Sequence, residues 1–154
     1  MDAINPKPAQ NTQGNKTFRW TFIALPVAIF LLCVIMAAVF YARLPAEAAY
    51  HFVDGSPDRW LSRSAVILWT IVPQLVLIFI GLMVVFAAAM AVRQLPETPL
   101  MRRALLIMGN IVALPQLIIA FAMLDIFLYN IYQIHLIPVW VFALIAMVVA
   151  AVIH

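Results

Sequence analysis

Charge is scarce in this chain: nine basic and six acidic side chains are spread over 154 residues. Soluble domains carry about a quarter of their residues as charges. With 67% of its residues hydrophobic, a chain this short cannot hide its apolar surface from water. A water-soluble globular domain is therefore excluded, and an integral membrane protein is expected. Cysteine is scarcer still. Cys33 stands alone inside an apolar run, which rules out an intrachain disulfide and makes it a small apolar side chain. Lys/Arg-rich runs with interleaved aromatics are missing, so nucleic acid is not an expected partner. The basic residues flank apolar runs instead, where the lipid bilayer and its anionic headgroups are the expected partner.

Four stretches are long enough to span: about 20–42, 64–92, 104–124 and 136–153. Without water, a spanning segment must satisfy its own backbone, so all four are expected as α-helices. The fold expected is an all-α integral membrane protein, an up-down bundle of four transmembrane helices. The second run, at ~1.5 Å per residue, extends ~43 Å and must tilt or protrude. The first is too long for a secretory h-region and is read as a retained helix. Residues 1–19 are polar and turn-rich, and read as a mobile cytoplasmic tail ahead of a membrane domain over 20–154.

Counting Lys and Arg sets the orientation. Lys7, Lys16, Arg19, Arg93, Arg102 and Arg103 fall on one side; Arg43, Arg59 and Arg63 fall on the other. Both termini are therefore expected in the cytoplasm of a cell, by inference prokaryotic, with residues 43–63 outside its plasma membrane. Tyr41, Trp60, Trp69, Tyr129, Tyr132 and Trp140 gather towards that outer interface.

Two features carry polar chemistry. The first is a repeat: Pro73-Gln74-Leu75 in the second span matches Pro115-Gln116-Leu117 in the third, and both pairs reach mid-membrane. Proline frees a helical carbonyl, and a glutamine amide can satisfy it or pair with the other glutamine. Gln74, Gln116 and Asn110 read first as helix–helix glue. The alternative, a polar lining for a small pathway, lacks any intramembrane charge.

The second feature is the segment 43–63, with six of the fifteen charges. His51, Asp54, Gly55, Pro57, Asp58, Arg59 and Trp60 are expected to form an outer cap, together with Asp125 at the end of the third span and His135 in the third connector. Asp54-Gly55 and Ser56-Pro57 are turn dipeptides. Asp58 is placed to cap a helix beginning near Trp60. His51-x-x-Asp54 is not a recognised ligand signature, so no metal and no cofactor is assigned. No serine has a nucleophile-elbow context, and no cysteine lies near His51 or His135. A non-enzymatic role follows.

Leu44-Pro45, His51-Phe52 and Asp54-Gly55-x-Pro57-Asp58-Arg59-Trp60, followed by Ser62-Arg63, resemble a bacterial membrane family of unknown function. It is typified by the N-terminal part of the SdpI immunity protein. The resemblance covers roughly Pro26–Val85. It implies an immunity or sensing role, with the cap recognising or docking an envelope component or partner. Alternatives are an accessory subunit packed against other membrane subunits or a second copy of itself, and a small transporter.

Overall fold

A computed structural model of the protein describes residues 22–53, 55–91 and 98–153. The expected tail, Trp20 and Asp54 lie outside the described residues. The elements in chain order are α1 (Ala24–Phe40), β1 (Glu47–Val53), β2 (Ser56–Ser62), α2 (Arg63–Ala91), α3 (Pro99–Asn110), α4 (Ala113–Tyr132) and α5 (Val139–Ile153). A single 3₁₀ turn, Tyr41–Arg43, prolongs α1.

Three rods are long and apolar enough to cross a membrane: α1 with its 3₁₀ turn, α2, and α3–α4 together. They give the chain the build of a membrane-embedded protein. α5 is apolar but shorter and packs along α4, where Phe142 stacks on Phe121 with ring centroids 4.0 Å apart.

Two clusters fix the directions of the rods. At one end Phe22 and Ile23 pack with Val85 of α2 and Leu105 and Leu106 of α3. At the other, Cys33, Ala37 and Leu44 pack with Ala48, Val66, Met123 and Phe127. Successive rods therefore run in alternating directions, and β1–β2 sits at the end where α1 finishes and α2 begins. Lipid is as apolar as leucine, so packing and close approach hold such a bundle together. Gly109 shows this best, because a Cβ there would lie 2.1 Å from the Phe22 carbonyl oxygen.

The third rod is not the continuous 104–124 helix expected. α3 begins at Pro99, the first helical position, where the Thr98 hydroxyl accepts from Met101 N–H at 3.2 Å. The rod then breaks at Ile111–Val112. Pro115 permits the break, because its ring clashes with the carbonyl four residues back, at Ile111. α4 continues to Tyr132, where Gln133 adopts a left-handed conformation at φ 58° and ends it. Asp125 thus lies inside α4 instead of ending it. By contrast Pro73, inside α2, leaves that helix unbroken from Arg63 to Ala91.

The all-α expectation also needs correction. Residues 47–62 form an antiparallel hairpin, pairing Glu47 with Ser62 and Val53 with Ser56. Only two residues separate Val53 from Ser56, and Asp-Gly is the preferred sequence for such a loop because its second residue needs positive φ. Gly55 supplies it at φ 76°. The helix expected near Trp60 begins at Arg63 instead, with the Ser62 hydroxyl accepting from Ala65 N–H at 3.3 Å. Nothing crowds Gly55, so its substitutions test backbone strain alone. Gly55→Ala is expected to cost about 1–2 kcal/mol in thermal unfolding and Gly55→Asn clearly less, since asparagine tolerates this region.

Candidate functional site

The hairpin is held by α4. Asn130 bonds one residue of β1 twice. Its Oδ1 accepts from Ala49 N–H at 2.9 Å, and its Nδ2 donates to the Ala49 carbonyl at 2.8 Å and to Ile126 O at 2.8 Å. The side-chain amide thus does what a neighbouring strand would do for Ala49, whose residue is fully buried. The ladder shifts register between Ala49 and His51, where Tyr50 of β1 is the extra residue, and shifts back between His51 and Phe52, where Asp58 of β2 is. Such bulges bend a strand and re-aim its side chains.

Beyond the bulge, Phe52 packs on the bundle and His51 faces solvent. The Phe52 ring lies 4.6 Å from Tyr129, nearly edge-on, and 4.7 Å from His135. Beneath it Asp125 is only 3% exposed. Its Oδ1 accepts from Leu136 N–H at 2.7 Å, and its Oδ2 stands 3.0 Å from His135 Nδ1. The bond from Leu136 therefore ties α4 to the connector that leads into α5; His135 Nδ1 stands close to the carboxylate without the alignment of a hydrogen bond, and its ring supports Phe52. A buried carboxylate is tolerated only with such partners. Arg43 Nη1 donates to the Tyr132 hydroxyl at 3.3 Å, and the Arg63 guanidinium lies 4.9 Å from the centre of the Tyr41 ring. These contacts fasten both ends of the hairpin.

Its free face carries most of the other residues singled out by sequence. His51 Nδ1 lies 2.6 Å from Asp58 Oδ1, so Asp58 pairs across the strands and does not cap a helix. Arg59 sits opposite His51 and Trp60 opposite Ala49, and Trp60 is 53% exposed. Pro57 faces Phe52. The Val53–Ser56 pair closes the two-residue loop, so alternation puts Pro57 at a non-hydrogen-bonded position where its missing N–H costs no ladder bond. Both members of the His51–Asp58 pair are well solvated, and exposed ion pairs contribute about 1 kcal/mol or less. Asp58→Asn should accordingly change unfolding stability by no more than that, measured by denaturant titration in micelles.

The residues expected to act together fall into two separate pairs, Asp125–His135 in the seat and His51–Asp58 on the free face. Among the described residues no group of three or more His, Cys, Asp or Glu side chains is placed to hold a metal ion. His51 turns Nδ1 to a carboxylate, which leaves its Nε2 for other partners. Mid-bundle, Gln116 Nε2 donates to the Gln74 backbone carbonyl at 3.3 Å. Asn110 donates to Leu106 O at 2.9 Å within its own helix.

Sequence reasoning did not single out Phe52, Tyr129 and Asn130 as site residues. The signal was helical spacing: carrying the third span past Asp125 puts Tyr129 and Tyr132 on the same face as Asp125, at i+4 and i+7.

With α1, the hairpin and the start of α2 in place, one comparison bears on them. Residues 28–72 match the family model described as Domain of unknown function (DUF1648). The match takes in the whole hairpin and ends within α2, ahead of the α4 residues that seat it. No curated protein and no solved structure matches the chain.

Proposed function

We propose that this chain is a non-enzymatic, multi-pass protein of a bacterial plasma membrane, of immunity or sensing type. In this reading its hairpin docks an envelope component or a partner protein. α5 serves as the fourth span, both termini are cytoplasmic and the hairpin faces outward. The Lys/Arg distribution supports that orientation. The likeness of residues 44–63 to the family typified by SdpI supports the role; the match over residues 28–72 is to a domain of unknown function and carries no role of its own.

The observation that carries the reading is the division of labour on the hairpin. One edge is committed to α4 through the Ala49 backbone, and one face through Phe52. The other presents His51, Asp58, Arg59 and Trp60 to solvent on a short, braced strand pair. A fixed aromatic flanked by both signs of charge is the chemistry of a protein-binding patch. Bracing it in advance lowers the ordering cost of docking.

A photoreactive phenylalanine in place of Trp60, in the full chain and in native membranes, tests this. A discrete protein adduct is expected, and its yield should fall about tenfold or more when His51, Asp58 and Arg59 are replaced by alanine, equivalent to ~1.4 kcal/mol of binding. Adducts to lipid alone, or an unchanged yield in the triple variant, would contradict the docking role.

A further inference from the structure

The two Pro-Gln elements do something that helix–helix glue does not explain. Gln74 of α2 and Gln116 of α4 are both completely buried. They share one bond, from Gln116 Nε2 to the Gln74 backbone carbonyl at 3.3 Å. That leaves Gln74 Nε2, Gln74 Oε1 and Gln116 Oε1 without any partner. Cys33 of α1, also fully buried, lies beside the Gln74 amide, where its thiol offers at most one weak, poorly aligned bond. Three helices thus meet at one polar point in an otherwise apolar bundle.

Reassigning the amides does not repair the deficit. Turning Gln116 would set its oxygen against the Gln74 carbonyl oxygen. Turning Gln74 merely exchanges one unpaired atom for the other. Each unpaired amide group in apolar surroundings costs roughly 2 kcal/mol or more, and lipid outside the bundle offers no remedy. A buried water makes ~3 hydrogen bonds to groups that would otherwise go unpaired, and three amide atoms need partners here. Water donates and accepts, as this mixed set requires. An ion would meet no side chain of opposite charge among these residues.

We propose that Gln74 and Gln116 form a binding site for internal water at mid-bundle, between α2 and α4 and beside Cys33 of α1. The site gives the Pro-Gln repeat its purpose: the glutamines hold water, and water joins the helices. It is independent of the hairpin's role.

Water-selected NOE and ROE spectra of the full chain in lipid nanodiscs, with glutamine side-chain amides labelled with ¹⁵N, test this directly. Cross-peaks at the water frequency are expected from both the Gln74 and Gln116 amides, with the sign of long-lived hydration. They should persist in Cys33→Ala, where no thiol proton can relay them. Gln74→Leu should abolish the Gln116 cross-peak. Absence of water cross-peaks from both amides in the unmodified chain would overturn the proposal, whether or not Gln74→Leu folds. So would their disappearance in Cys33→Ala.

Discussion

Gly109→Ala is expected to destabilise the bundle by about 3 kcal/mol or more, at or above the upper end for overpacking. The added Cβ would stand 2.1 Å from the Phe22 carbonyl oxygen, 2.9 Å from its carbon and 2.9 Å from Val85 Cγ2. Two of those atoms are backbone, and neither can rotate away. Relief requires α3 to move off the start of α1, which opens the packing of Phe22 and Ile23 against Val85, Leu105 and Leu106. Gly81→Ala is the matched control. Its Cβ would meet the Val112 side chain at 3.1 Å, a contact a small rotation relieves, so the cost should stay near 1 kcal/mol or below. Unfolding by SDS titration, followed by circular dichroism, measures both. Equal costs would show that the close approach of α3 to Phe22 is not a real constraint.

Asn130→Leu should release the hairpin and leave the helices standing. The substitution removes the two bonds to Ala49 and leaves a buried N–H and a buried carbonyl unpaired. Each such loss costs ~1–3 kcal/mol, so about 2–4 kcal/mol of seating is at stake. Helical circular dichroism should be unchanged, while amide exchange of Ala48–Phe52 accelerates by about tenfold to a thousandfold. Tyr132→Phe, which removes only an exposed bond from Arg43, should alter that exchange little. Accelerated exchange in both variants would mean that the hairpin's attachment is diffuse and does not rest on Asn130.

Both residues show what could be read from the sequence. Uncharged apolar runs locate α1, α2, most of α4 and α5, because helices are the chain's only economical way through lipid. The hairpin is less legible, because two local signals compete over residues 54–60. Ser56-Pro57-Asp58 reads as the entry to a capped helix, whereas Asp54-Gly55, two residues between apolar-rich flanks, reads as a hairpin loop. The loop wins because Asn130 and Tyr129 of α4 give β1 partners in the bundle, and Asn130 lies 81 residues from Ala49 in the chain. Asp125 misleads in the same way. A charge at the end of an apolar run usually marks an interface, but here Leu136 N–H bonds it inside the fold, with His135 Nδ1 3.0 Å away. Pro115 permits the break at Ile111–Val112 but does not dictate it, since Pro73 carries the same chemistry and leaves α2 unbroken, and the close approach at Gly109 depends on which helix faces it.

The central point is that the polar segment between α1 and α2 is a folded, seated platform. Amide hydrogen exchange over residues 47–62 of the full chain in lipid nanodiscs tests it most directly. Ladder amides of β1 and β2 should exchange about a hundredfold or more slowly than in an unstructured peptide, equivalent to ~2.7 kcal/mol of local opening. Ala49 should be among the slowest. Exchange of these amides at the unstructured rate, with the helices still protected, would contradict it.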